Sequence, residues 1–163
     1  MIKIGVLLKD LMLSQCNYQF ITQANKFYSP KHTGEADIIA FYESLSIHCT
    51  QLFFACMNIK EAWSYDGTVV ATSLNTARRL ITFPTPKRKL FYIYDLEWML
   101  PTHREFQKFS EVYTNKEVIL LARSDQHAKI IEGAWGTKVY DVVENFNLRG
   151  IINVVERMAS RTV

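Results

Sequence analysis

The chain has 163 residues, of which 48% are hydrophobic and 13% aromatic, typical of one globular domain with a core of its own. This composition excludes a disordered chain. Its 19 basic and 16 acidic residues leave a net charge of +3, too small to indicate a nucleic-acid partner or a membrane surface. We therefore expect residues 1–163 to form a single domain that does not bind nucleic acid.

The cysteines and the apolar segments of the sequence indicate in which cellular compartment the protein is found. Cys16, Cys49 and Cys56 are odd in number and lack metal-ligand spacing, so we expect reduced thiols and no metal site. The opening apolar run ends at Lys9 and is too short for the core of a signal peptide. No segment is long enough to cross a bilayer. These features predict a soluble, cytoplasmic protein.

The first half of the chain alternates predicted strands with predicted helices. Apolar runs predict strands at residues 2–8, 37–42, 52–57 and 68–72. Ser14 and Ser73 each precede a helical pattern and can cap it, and Asn58 can cap a shorter helix. Gly5 permits another group to approach the first strand closely. Residues 43–50 give no readable pattern.

The second half repeats this alternation. Its predicted strands are residues 90–94, 118–122 and 138–143. Aromatic spacing predicts a helix over residues 103–113, and Ser124 opens another that Gly136 ends. A last helix, with Leu148, Ile151, Ile152 and Val155 on one face, is expected to fold back onto the sheet.

Strands separated by helices favour right-handed crossovers, which place parallel strands side by side with helices on both faces. We therefore predict an α/β fold: a three-layer Rossmann-like sandwich whose mostly parallel sheet has six or seven strands. Ligands of such sheets bind at the carboxyl ends of the strands. Polar residues expected at that edge are Lys9, Asp10, Ser73, Asn75, Asp95, Glu97, Arg123, Ser124 and Asn145.

Asp95 and Glu97 are the most suggestive of these residues. Carboxylates at alternate positions can face the same way and serve as a general base, a metal ligand or an acceptor for sugar hydroxyls. Equally, Asp95 can cap the following turn while Glu97 is solvated, and Trp98 is expected to pack in the core. Both interpretations stay open at this point.

Arg123 and Ser124 precede a helix, where free backbone N–H groups and the helix dipole favour an anion. An Arg123 contact to a phosphate is a hypothesis based on that location, and Ser124 is expected to be a simple N-cap. The chain has neither a Gly-x-Gly-x-x-Gly sequence after the first strand nor a P-loop, which disfavours the common dinucleotide and nucleotide sites. The four histidines form no ligand pattern.

The order of these elements resembles the N-terminal domain of GT-B glycosyltransferases. Residues 121–124, with the following helix, Gly136 and residues 142–145, are similar to the end of that domain. Residues 91–98 look like the family strand whose end lines the cleft between donor and acceptor, and residues 2–8 look like its opening strand. The chain also resembles short proteins encoded by large tailed bacteriophages, which would place it in the host cytoplasm.

The resemblance implies that this chain supplies the acceptor side of a sugar transfer. A nucleotide sugar would be the co-substrate, and no cofactor would be bound permanently. Asp95 or Glu97 would deprotonate the acceptor hydroxyl, while Arg123 and the helix start at Ser124 would favour the phosphates. Lys9 and Asp10 would lie on the acceptor side.

The sequence ends about one helix after Asn145, so we expect it to lack the second domain of that family. Three alternatives follow: half of a split transferase with a partner chain, a homo-oligomer with a cleft between subunits, or a degenerate domain kept for binding alone. Exposed aromatic residues in the first half would favour a non-enzymatic binding or assembly module. We expect most of them to be core; they are Phe20, Phe27, Phe41, Tyr42, Phe53, Phe54, Trp63 and Tyr65.

Overall fold

The fold is an α/β sandwich, seen in a computed structural model that describes residues 1–12, 14–28, 36–47, 51–99 and 106–160, with the backbone alone at 45–47. Within these ranges, seven strands form one sheet in the order β3-β2-β1-β4-β5-β6-β7. Every neighbouring pair is parallel. The predicted three-layer, mostly parallel architecture is therefore confirmed.

Strands and helices alternate along most of the chain. The strands are β1 (Ile2–Leu11), β2 (Ala36–Ile47), β3 (Ala55–Asn58), β4 (Thr68–Ala71), β5 (Arg88–Ile93), β6 (Val118–Ala122) and β7 (Asp141–Val142). The α-helices are α1 (Gln15–Phe27), α2 (Leu74–Thr82), α3 (Phe106–Tyr113), α4 (Asp125–Trp135) and α5 (Leu148–Ser160). Short 3₁₀ helices cover Ile59–Ser64, Glu97–Met99 and Glu144–Phe146.

Each face of the sheet has its own hydrophobic core. On one face, α1 and α5 pack against side chains such as Val6 and Tyr92. On the other, α2, α3 and α4 cover side chains such as Leu7 and Phe91. Because successive residues of a strand point to opposite faces, a strand covered on both sides is buried throughout, as all four residues of β4 are.

Serine side chains begin three of the helices, as predicted. Ser14, Ser73 and Ser124 each accept a hydrogen bond from the backbone N–H three residues later. Gly136 ends α4 in the left-handed region, at φ 63°, where glycine carries no steric penalty. The last helix returns onto the sheet with Ile151 and Ile152 buried.

Several predicted strand bounds were wrong, beginning with β1, which continues to Leu11. β2 continues through the unreadable segment to Ile47, and β3 begins only at Ala55. β7 contains two residues instead of the six at 138–143. The Val139 N–H donates to the Glu132 side chain instead of to β6, and Tyr140 donates to the Leu120 carbonyl without being part of the strand. The predicted helix at 103–113 is described from Phe106, and its first three residues lie outside the described residues.

Of the eight first-half aromatic residues considered above, four are buried, and Tyr42 and Tyr65 are partly buried against the two cores. Phe20, Phe27, Phe41 and Phe54 are buried, whereas Phe53 is 56% exposed and Trp63 is 53% exposed. The prediction that a strand buries Phe53 was wrong because this residue precedes β3, and its backbone N–H instead donates to the Asn25 side chain.

Packing explains the glycine in the central strand. A Cβ atom at Gly5 would lie 2.7 Å from Cε2 of Phe41 and 3.1 Å from Cε1 of Tyr65. The two rings therefore pack where a side chain would otherwise stand, which is the close approach that the sequence predicted.

Candidate functional site

The candidate site lies along the carboxyl ends of the strands, called the rim below. The strand order reverses between β1 and β4, and doubly wound sheets bind their ligands at the strand ends beside such a reversal. Seven of the nine predicted site residues lie beyond the end of a strand, the exceptions being Lys9 and Asp10, which lie within β1. The contacts that hold these side chains in place differ from one residue to the next.

Asp95 and Glu97 follow β5 but have different surroundings. Asp95 is exposed, whereas Glu97 is half-buried in a 3₁₀ helix. One carboxylate oxygen of Glu97, Oε1, accepts the backbone N–H of Leu74 at 2.9 Å. Burial raises the pKa of the Glu97 carboxyl, and the charge of Asp95 raises it further, although the bond from Leu74 opposes both effects. The interpretation of Glu97 as a solvated side chain was therefore wrong.

Ser73 and Asn75 lie at the start of α2. Ser73 and Thr76 form a reciprocal capping box: Oγ of Ser73 accepts the Thr76 N–H at 3.3 Å, and Oγ1 of Thr76 accepts the Ser73 N–H at 3.0 Å. The backbone N–H and the hydroxyl oxygen of Ser73 are therefore both used in capping α2. Asn75 is exposed on the first turn.

Arg123 follows β6 and is half-buried. Its guanidinium carbon lies 4.8 Å from the centroid of the Tyr94 ring, and its Nε–H donates to Nε2 of His127 at 3.3 Å. Among the described residues, no carboxylate oxygen lies within 4.0 Å of this guanidinium. Within the described part of the chain, the cation is therefore held in place without a carboxylate at ion-pair distance.

Ser124 caps α4, since its Oγ accepts the backbone N–H of His127 at 3.2 Å. His127 was not predicted as a site residue. Because its Nε2 accepts from Arg123, the neutral ring carries its proton on Nδ1. Burial and the nearby charge of Arg123 lower the pKa of His127, and the charge of Asp95 opposes them. One sequence feature could have indicated this site residue: His127 lies four residues after Arg123, about one helical turn away.

The α1 helix brings a thiol to the same place. Burial raises the pKa of Cys16 to about 12, the charge of Asp95 raises it as well, and the charge of Arg123 lowers it. The charges of Asp95 and Arg123 also affect the pKa of His127. Ile93 pairs with Ala122, so Asp95 and Arg123 follow the ends of two adjacent strands and lie on the same part of the rim. Tyr94, Asp95, Arg123 and His127 are called the Arg123 cluster below.

Three predicted residues lie elsewhere along the rim. Lys9 and Asp10 belong to β1 and do not follow it, because this strand continues to Leu11. The Asp10 carbonyl accepts Nδ2 of Asn17 at 2.9 Å, which ties the strand to α1. Asn145 lies beyond β7 with φ 51°, and its Oδ1 accepts Nε2 of Gln19 at 3.4 Å.

The described residues contain no group of three or more His, Cys, Asp or Glu side chains placed to hold a metal ion. None of the helices in that part of the chain is long and apolar enough to span a membrane. Searches for a matching protein family, a similar curated protein and a similar solved structure found no match to this chain.

Proposed function

We propose that this chain is a glycosyltransferase-like domain that supplies the acceptor side of a nucleotide-sugar-dependent transfer. A partner chain or a second copy would complete the cleft. The sequence resemblance to the N-terminal domain of GT-B enzymes motivates the proposal. The parallel sheet supports it, because its order reverses between β1 and β4 and its polar residues gather at the rim.

The Arg123 cluster is the observation that carries the proposal. Withdrawing an arginine charge from water is costly unless another group compensates for it. Arg123 is held by an aromatic ring and a neutral histidine, next to the first N–H groups of α4. A guanidinium presents its remaining N–H groups as a fork that suits phosphate oxygens. This arrangement favours a phosphate-bearing ligand.

Asp95 is the proposed base, because it is exposed and makes no side-chain hydrogen bond within the described residues. Its carboxylate would take the proton of the acceptor hydroxyl as that oxygen bonds to the anomeric carbon of the sugar. The bond from that carbon to the phosphate oxygen would break, leaving its electron pair on the nucleoside diphosphate. Arg123 and the start of α4 would stabilise the charge that develops there.

Arg123 should contribute directly to the binding of a nucleotide sugar. Isothermal calorimetry with UDP- and GDP-sugars, alone and with a candidate partner chain, should show binding that Arg123→Ala weakens about ten- to hundredfold, because charge-assisted bonds are lost. Arg78→Ala is the matched control, since Arg78 is also half-buried but pairs with Glu111 at 3.2 Å. No heat in any combination, or equal loss in both variants, would contradict the proposal.

A non-enzymatic assembly module is the second candidate. It is favoured by the surface around β3, where Phe53 is 56% exposed and Met57 is 45% exposed. β3 lies at the end of the sheet order, and no described strand pairs with its outer edge. Its four residues carry no charge, and charge is a common protection of sheet edges. Light scattering over a range of concentrations would reveal self-association.

A further inference from the structure

A second concave surface lies at the edge of the sheet opposite the rim, where the strands begin. It is a groove of about 700 Å³, a volume typical of small-molecule sites. Its walls come from residues at the starts of β1, β4 and β5 and from the last turns of α5. No residue of the Arg123 cluster lines it. This amino-edge groove is therefore separate from the proposed phosphate site.

A half-buried arginine without a partner lines the amino-edge groove. Arg88 is the first residue of β5 and precedes Leu90 by two positions, so it lies on the face of the sheet that α5 covers. Within the described part of the chain, its guanidinium has no hydrogen bond, ion pair or aromatic ring contact. Its partial withdrawal from water is therefore uncompensated, and a bound carboxylate would supply the missing partner.

Two further unpaired charges line the same groove. Lys87 is exposed beside Arg88, and Glu156 is exposed on α5. In the described ranges neither charge lies within 4.0 Å of an opposite one, so Glu156 does not pair with Arg88. Lys3, by contrast, pairs with Asp66 at 2.9 Å. The groove therefore has unpaired cations on its sheet side and an unpaired carboxylate on its helix side, where the carboxyl end of α5 adds partial negative charge.

Apolar side chains complete the lining. Ile2 packs against the core beneath α5, and Val155 is buried in that core. Ala159, one helical turn after Val155, is exposed and adds a small apolar side chain to the same wall. A mostly apolar surface with a few charged groups that fix orientation is the usual composition of a small-molecule site.

We infer that the amino-edge groove binds a small aliphatic amino acid in its zwitterionic form. Arg88 and Lys87 hold the carboxylate, Glu156 holds the ammonium, and the aliphatic side chain lies against Ile2 and Val155. A guanidinium suits this role because its fork of N–H groups can donate two parallel bonds to one carboxylate. This site goes beyond the proposed function, since it assigns a second ligand at the opposite edge of the sheet and does not depend on sugar transfer.

The test titrates the full chain with L-leucine and two analogues, and follows the backbone amide shifts by NMR. Isocaproate is leucine without its amino group, and isoamylamine is leucine without its carboxylate. We expect leucine to produce saturable shifts at Gly67 and Arg88. Isocaproate should bind about two- to fivefold more weakly, because it loses only an exposed ion pair. Isoamylamine should produce no saturable shift, because it cannot bind the two cations.

Two charge variants assign the contacts. Arg88→Gln should weaken leucine binding about tenfold or more, because charge-assisted hydrogen bonds are lost. Glu156→Gln should weaken leucine binding about two- to fivefold and leave isocaproate binding unchanged. Arg78→Gln is the matched control, since Arg78 is also half-buried but pairs with Glu111 outside the groove. Thermal unfolding checks that each variant is folded.

A third variant tests the groove without changing any charge. Ala159→Phe fills the groove and should abolish leucine binding, whereas Ala134→Phe, on the exposed surface of α4, should not. No saturable leucine shift in the wild-type protein, or wild-type affinity in Arg88→Gln or Ala159→Phe, would overturn the inference. Equal affinities for leucine and isocaproate would reject the ammonium contact and with it the zwitterion. None of these measurements uses a nucleotide sugar, so their failure would leave the proposed function untouched.

Discussion

The environment of the Cys16 thiol gives a chemical test of the rim at the scale of single residues. Burial raises its pKa to about 12, so at pH 8 its thiolate is scarcer than that of an ordinary cysteine by roughly a hundredfold or more. We expect Cys16 to react correspondingly slowly with iodoacetamide in the native protein and at an ordinary rate in urea. Mass spectrometry of a chain with Cys49→Ser and Cys56→Ser measures this rate on Cys16 alone.

Substitutions of the neighbouring charges should move that rate in opposite directions. Asp95→Asn removes a charge that raises the Cys16 pKa, so alkylation should become faster. Arg123→Ala removes a charge that lowers it, so alkylation should become slower. If both variants reacted at the unchanged rate, the placement of Asp95 and Arg123 beside α1 would be wrong.

Glu97 should make an unusual contribution to the dependence of stability on pH. Because its carboxyl pKa is raised in the folded state, the native protein holds this proton over a pH range in which the unfolded chain has lost it. The free energy of unfolding therefore falls as pH rises from the ordinary glutamate pKa through the folded one. Below that window the charge is absent and the cost disappears.

We predict that Glu97→Gln raises the free energy of unfolding at pH 7 and has little effect near pH 3. The amide oxygen still accepts the Leu74 N–H, while the cost of burying a charge is removed. Urea unfolding at several pH values, with Glu132→Gln treated in parallel as a control for general charge effects, measures the difference. A stability loss at pH 7 that vanished in acid would mean that the bond from Leu74 outweighs desolvation.

Contacts between distant elements could not be predicted from the sequence, whereas local caps could. Ser73 and Ser124 were predicted as caps because a cap depends on four consecutive residues. The partner of Glu97 lies 23 positions away on a different element, and no local pattern encodes that distance. The role of His127 depends on Arg123 turning back over Tyr94, which only the packed rim determines.

At the scale of elements, a buried tyrosine holds the turn after β7. Asn145 and Phe146 both have positive φ, at 51° and 50°, which is strained for residues other than glycine. The Tyr92 hydroxyl accepts the Phe146 N–H at 3.1 Å and donates to the Val143 carbonyl at 2.8 Å. These bonds stabilise the turn and link it to β5.

Tyr92→Phe should therefore lower the free energy of unfolding by about 1–3 kcal/mol, because it leaves a buried N–H and a buried carbonyl without their partner. Tyr94→Phe is the control: it keeps the ring beneath Arg123 and should change stability by less than about 0.5 kcal/mol. Urea unfolding measures both. Equal effects of the two variants would show that the turn does not depend on the Tyr92 hydroxyl.

Two of the errors in predicted strand bounds, those at β3 and β7, have a common physical origin. An apolar run of five residues, as in β6, predicted its strand to the residue because both faces are covered. At the ends of the sheet one side of a strand lacks a neighbour, so packing constrains the pattern less. This explains why β3 and β7, the two outermost strands, were the ones placed too long.

At the scale of the whole molecule, the architecture followed from alternation, since parallel strands require crossover helices and their carboxyl ends share one edge. The position of the candidate site at the rim could therefore be predicted from the sequence. Its internal arrangement was not, because nothing in a linear pattern states that Asp95 and Arg123 act on the same thiol of α1.

Association of two copies through the β3 edge is geometrically distinct from assembly of a shared cleft at the rim. In the strand order, β3 and β5 are four spacings apart, or about 19 Å, so the open edge of β3 is remote from the Arg123 cluster. Two copies joined at their β3 edges by a two-fold axis would have antiparallel strands, and their rims would point in opposite directions. Such a dimer builds no shared cleft.

We predict that Met57→Lys, which places a charge on the outer strand, converts any β3-mediated dimer to monomer and leaves nucleotide-sugar binding unchanged. Light scattering measures the first effect and calorimetry the second, with Met57→Leu as the apolar control. Loss of sugar-nucleotide binding in Met57→Lys alone would mean that the cleft is assembled through β3, against the rim-based proposal. An assembly module would instead lose self-association, with no nucleotide sugar bound by either variant.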